Sequence, residues 1–123
     1  ETEELRKKAK KSDPIDGQRM KQMMNYVHDH FREKVYLEEL ASSAGISPRE
    51  CARVFKRQIG STPMDYLNQY RVRMAAYELR TSAKPISLIA EECGFASDSY
   101  FGKTFRQYMS CSPRDYRKKA ITI

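Results

Sequence analysis

Leu40-Ala41-Ser42-Ser43-Ala44-Gly45-Ile46-Ser47 and Ile89-Ala90-Glu91-Glu92-Cys93-Gly94-Phe95-Ala96-Ser97 are two copies of one pattern. A second pair follows in step: Phe55-Lys56-Arg57 with Thr62-Pro63-Met64-Asp65-Tyr66, and Phe105-Arg106-Gln107 with Ser112-Pro113-Arg114-Asp115-Tyr116. The offset is 49 before the turn and 50 after it, so one residue, Ala96, is inserted in the second turn. Self-similarity at this period marks repeated supersecondary units. Each copy reads short helix, glycine turn, capped helix. In such a helix-turn-helix, small residues and the glycine let two helices cross closely.

The capping chemistry sharpens the helix starts. In Ser47-Pro48-Arg49-Glu50 the serine suits the N-cap, the proline the first helical position and the glutamate the third. A serine and a glutamate so spaced satisfy free N–H groups reciprocally. This helix is expected to run to about Ile59 with Cys51, Val54 and Phe55 inward, and to stop at Gly60. Thr62-Pro63-Met64-Asp65 opens a long helix to about Arg80, and Ser112-Pro113-Arg114-Asp115 opens the last one. Pro85 breaks the long helix from a short one ending at Cys93-Gly94; Ser97 caps another that runs to about Met109.

Upstream, Met20, Met24, Val27 and Phe31 recur at spacings of four, three and four, a buried helical stripe. Leu37, Leu40, Ala41 and Ala44 form the next, stopped by Gly45 as by a C′ glycine. No segment keeps up strand alternation. The expected fold is all-α: seven helices in two helix-turn-helix lobes joined by a long linker helix. Residues 1–14 read as a charged tether, 15–61 as the first lobe, 62–81 as the linker helix and 82–120 as the second lobe. The first 13 residues, ETEELRKKAKKSD, hold only Leu5 as a large apolar side chain, too little burial to offset ordering entropy.

Charge narrows the class. The chain has 123 residues and a formal net charge of +7, which points to a polyanionic partner: nucleic acid, an anionic membrane surface or an acidic protein. No apolar run approaches the ~20 residues of a membrane span, and no secretory signal is present. Cys51, Cys93 and Cys111 cannot all pair and form no CxxC, which fits reduced thiols in a cytoplasm. His28 and His30, two apart, point to different sides of a helix, so neither zinc nor another metal or cofactor is expected. The first residue is Glu rather than Met, so the chain is expected to be a fragment.

The stretch Ile86-Ser87-Leu88-Ile89-Ala90-Glu91-Glu92-Cys93-Gly94-Phe95, then Tyr100-Phe101-Gly102-Lys103-Thr104-Phe105-Arg106, then Ser112-Pro113-Arg114-Asp115-Tyr116-Arg117, resembles the signature of AraC/XylS-type transcription regulators. Leu37-Glu38-Glu39-Leu40-Ala41, with Phe55-Lys56-Arg57 and Tyr66-Leu67, resembles the same family's other half. The resemblance covers roughly residues 20–119. It implies double-stranded bacterial promoter DNA as partner, a cytoplasmic, nucleoid-associated location, contact with RNA polymerase, and an N-terminal sensor or receiver domain that this chain lacks.

The exposed residues near the start of each capped helix are the base-reading candidates. In the first lobe these are Arg49, Ala52 and Arg53; in the second they are Ser99, Gly102 and Lys103, each 50 residues on, with Asp98 beside them. Positions similar to these contact bases in members of the family it resembles. Arg53 leads, because a guanidinium bonds bidentately to guanine O6 and N7. Arg49 suits a base or a phosphate; Ala52 can touch a thymine methyl. Gly102 costs roughly 1 kcal/mol inside a helix, which suggests close packing on DNA or on a neighbouring helix. Asp98 either accepts from cytosine N4 or favours its helix N-terminus. Ser47, Lys56, Arg57, Ser97, Arg106 and Arg117 are the phosphate candidates. Phe55, Phe105, Ile89 and Leu67 read as core, and Tyr66 and Tyr116 as structural. Leu88 replaces the first copy's Glu39 on a face expected to be exposed.

Three other classes compete. A helical protein-interaction module without DNA binding is disfavoured by the basic faces of both capped helices. An enzyme is disfavoured because no Ser/His/Asp set, metal cluster, phosphate loop or paired carboxylate site is visible. RNA binding needs exposed aromatics, and Tyr100 and Tyr108 are too few.

Overall fold

The duplication reappears in the backbone hydrogen bonds. Ile46 donates to the carbonyl of Ala41, and Phe95, 49 residues on, to that of Ala90. Past the turn, Cys51 donates to Ser47 and Phe101, 50 residues on, to Ser97. The matching bonds bracket Ala96 and confirm it as the inserted residue. The structure, a computed structural model, describes residues 13–121. The charged tether therefore lies outside the described residues, apart from its last two.

Among the described residues the fold is all-helical, with seven helices: α1 Pro14–His30, α2 Leu37–Ser42, α3 Pro48–Ile59, α4 Pro63–Thr81, α5 Ile86–Glu92, α6 Asp98–Met109 and α7 Pro113–Ile121. They divide into two compact units, residues 13–30 with 35–66, and residues 31–34 with 67–121. In the first, α1, α2 and α3 pack on one another; in the second, α6 packs on α5 and α7. Helix α4 begins in the first unit and continues in the second.

The caps form much as the residues dictate. Ser47, Thr62, Ser97 and Ser112 each accept, through their side-chain oxygen, the backbone N–H three residues on, at 3.0–3.1 Å. Gly45 and Gly60 take positive φ, 69° and 71°. At the position matching Gly60, however, α6 ends on Ser110 in the same left-handed conformation (φ 64°).

The core of the first unit is Met20, Met23, Val27, Leu40, Ala41, Cys51, Val54 and Phe55. Met23, not Met24, is fully buried; Met24 is half-buried. The stripe thus passes one residue earlier round the helix than the four-three-four spacing suggests. Tyr66 packs on Phe55 at 5.8 Å between ring centroids and shares a 3.0 Å hydrogen bond with His28.

In the second unit, Phe95, Phe101, Phe105 and Tyr116 form a run of ring contacts at 4.8–5.6 Å. The Phe105–Tyr116 pair repeats Phe55–Tyr66, so both tyrosines are structural as expected. Arg71 is buried in this unit, and its Nε and Nη2 donate to the carbonyls of Phe31 and Glu33 at 2.9 and 2.7 Å. Burial pushes its pKa down from the ordinary guanidinium value. Gly94 (φ 89°) lies so close that an added Cβ would strike the Phe31 carbonyl and the Arg71 guanidinium.

Candidate nucleic-acid interface

Helix α3 separates its faces cleanly. Cys51, Val54 and Phe55 are buried, while Arg49, Ala52, Arg53 and Lys56 are exposed at spacings of three, one and three. Those spacings put the four on one face. Helix α6 repeats the division 50 residues on, with Phe101, Thr104 and Phe105 buried and Ser99, Lys103 and Arg106 exposed. Asp98 opens the helix and is exposed; Gly102 is half-buried. An added Cβ at Gly102 meets nothing within 4 Å, so packing against a neighbouring helix does not require this glycine. Ser47 and Ser97 are exposed at the two helix starts. The base-reading candidates of each copy are thereby brought onto one surface, with Lys56 or Arg106 a turn further along.

Two phosphate candidates have other attachments. Arg117 donates through Nε and Nη2 to the carbonyls of Leu79 and Ser82, both at 3.2 Å, and so caps the end of α4. Arg57 donates to both carboxylate oxygens of Asp16 (2.8 and 3.3 Å) and to Glu50 (3.2 Å). The hydrogen bond it donates to Asp16 leads in holding its guanidinium above the usual arginine range, with Glu50 adding to it.

Glu50 departs from the reciprocal capping box. Its carboxylate engages Arg57, lies 3.6 Å from Arg19 and 3.6 Å from Arg53, and leaves the Arg53 side chain 55% exposed. Asp16, only 5% exposed, is the residue that local pattern reading misses, since its partner lies 41 positions away.

Two of the three thiols lie in the cores. Cys51 and Cys93 are buried, and desolvation pushes each up to about 11. Among the described residues, no group of three or more His, Cys, Asp or Glu side chains could hold a metal ion, and no helix is long and apolar enough to cross a membrane.

A family model described as a helix-turn-helix domain matches residues 40–119, spanning both copies. The chain belongs to the AraC/XylS-type transcription regulators. It is 37% identical over 107 residues to the HTH-type transcriptional regulator YdeC of Bacillus subtilis (strain 168), covering 87% of the chain and 37% of the relative. It is 37% identical over 100 residues to the HTH-type transcriptional activator RhaS of Klebsiella pneumoniae (strain 342), covering 81% of the chain and 36% of RhaS. The AraC/XylS-type domain thus spans little more than a third of the curated relatives it matches.

Solved structures agree. An AraC-type regulator from Chromobacterium violaceum superposes with a TM-score of 0.80 at 26% identity, covering 85% of this chain and 93% of that one. The DNA-binding domain of AdpA, solved with a target DNA, gives 0.75 at 32% identity, covering 79% and 87%.

Proposed function

We propose that this AraC/XylS-type domain reads promoter DNA with two recognition helices, α3 and α6, which enter neighbouring major grooves of one duplex. The domain binds DNA sequence-specifically. The observation that carries the reading is the repeated face: Arg49, Ala52, Arg53 and Lys56 on α3, and Ser99, Gly102, Lys103 and Arg106 on α6, each backed by three buried side chains. Arg53 takes guanine O6 and N7 bidentately. Arg49 joins it or grips the backbone, and Ala52 allows close approach. The 19-residue α4 is ~28 Å long at ~1.5 Å per residue, a length suited to joining readers of grooves ~34 Å apart.

The two helices contribute unequally. Helix α3 carries Arg49, Arg53, Lys56 and Arg57 against Glu50; α6 carries Lys103 and Arg106 against Asp98. We assign base discrimination mainly to α3, and backbone contact and shape readout mainly to α6. In the intact protein, a sensor or receiver domain supplies the signal, and RNA polymerase is the partner at the promoter. The relatives are transcription regulators, in keeping with a chain that is not an enzyme, and the interaction-module alternative is not favoured.

The test is selection from random ~25-base-pair duplexes, followed by affinity and its salt slope on the enriched sites. Two conserved blocks about one turn apart, bound by one monomer, are expected. No enrichment over random duplex sinks the reading.

A further inference from the structure

Arg57 sits on the recognition helix, one position beyond the exposed Lys56, in a segment whose charge suits a phosphate backbone. Yet the fold spends it. Its Nε and Nη2 lie 2.8 and 3.3 Å from the two carboxylate oxygens of Asp16, and Nη2 lies 3.2 Å from Glu50. Asp16 is 5% exposed and comes from the first turn of another helix, α1. A buried carboxylate matched to two N–H groups of one guanidinium fixes that guanidinium in place far better than an exposed ion pair does. On the neighbouring position of the same helix face, Arg53 touches Glu50 only at 3.6 Å and stays largely open.

We infer that Asp16 is a positioning residue: it holds Arg57 back from the DNA backbone and so limits the sequence-independent part of the affinity. This rests on the proposed DNA-reading function. Every phosphate contact strengthens binding to all duplexes alike, while base contacts separate one site from another. Withholding one arginine from the backbone therefore lowers affinity for every duplex alike and leaves discrimination by Arg53 intact.

The experiment compares the wild-type chain, Asp16→Asn, Arg57→Gln and the double variant Asp16→Asn/Arg57→Gln. Each is first checked for a cooperative melting transition above the assay temperature. Binding to the selected site and to a random duplex is then measured against salt. Asp16→Asn is expected to steepen the slope of log affinity against log salt by ~0.9, one added phosphate contact, and to strengthen binding to the selected site and to the random duplex by a similar factor. The double variant is expected to return to the wild-type slope. Arg57→Gln alone is expected to keep the wild-type slope, which provides the test should Asp16→Asn fail to fold. A folded Asp16→Asn with an unchanged slope, or an Arg57→Gln slope shallower by ~0.9, overturns the inference. Absence of wild-type binding to any duplex is a different result: it removes the DNA-reading function on which the inference rests.

Discussion

The Nε of Arg71 donates to the main-chain carbonyl of Phe31 at 2.9 Å, across 40 positions of chain and inside the core of the second unit. Its Nη2 satisfies Glu33 in the same way. Hydrogen bonds from a charged donor contribute more than neutral ones, and carbonyls left buried without a donor cost the full desolvation penalty. Arg71→Met is expected to lower stability by about 2–4 kcal/mol in chemical denaturation. A loss below about 1 kcal/mol would mean that the two carbonyls find other donors.

Gly94 faces the same place. A left-handed conformation costs an ordinary side chain about 1–2 kcal/mol. At Gly45 that is the whole cost, since an added Cβ meets nothing within 4 Å. At Gly94 the Cβ would also meet backbone and a buried guanidinium. Gly45→Ala is expected to lose about 1–2 kcal/mol and Gly94→Ala clearly more, read as a difference between the two denaturation midpoints.

The second recognition helix ends on a strained serine. Ser110 adopts φ 64°, where the first copy has glycine. Ser110→Gly is expected to raise stability by about 1 kcal/mol, since glycine takes that conformation without penalty. Ser110 is outside the reading face, so affinity for the selected duplex should not move.

Arg53 and Lys56 separate the two kinds of contact. Arg53→Ala is expected to cost about 1–3 kcal/mol on the selected site and to relax preference at one base pair. Lys56→Ala should weaken all duplexes similarly and make the salt slope shallower by ~0.9. Equal loss of preference in both variants would contradict this division.

Cys51 and Cys93 supply a pH signature. Each thiol is raised from 9.0 to about 11 by burial. The folded state therefore favours the protonated form, and its contribution to stability is fully present below about pH 9 and lost as the pH rises through about 11. A denaturation series from pH 8 upward should decline less steeply in Cys51→Ala than in the wild type. At neutral pH a thiol reagent should label the half-buried Cys111 well before the other two.

The helices, their caps and the repeat were legible because they are written in neighbouring residues. Ser47-Pro48 and Gly60 act within a few positions of where they stand, and so do Ser97 and Gly94. The exposed candidates on α3 and α6 followed from the same periodicity. Asp16, Glu50 and Arg71 were not legible in that way. Asp16 reads as an ordinary acidic residue in a helix's first turn, and Glu50 as half of a capping box, until a partner 41 positions away and three arginines arrive in space. The commitment of Arg117 to the end of α4 is likewise a matter of packing across 38 positions. Met23 and Met24 both fit a spacing of three or four between Met20 and Val27, so periodicity alone could not choose the buried one.

The two copies are alike in register and unlike underneath. Where α3 buries Cys51, Val54 and Phe55, α6 buries Phe101, Thr104 and Phe105. A phenylalanine does not fit a space shaped for cysteine, and a cysteine leaves a void where phenylalanine stood. The copies are thus not interchangeable parts: a chimaera with whole recognition helices exchanged would overfill one core and hollow the other. Rewiring which DNA the domain selects is instead a matter of transplanting outward residues alone, and the shared 50-residue register says which position receives which.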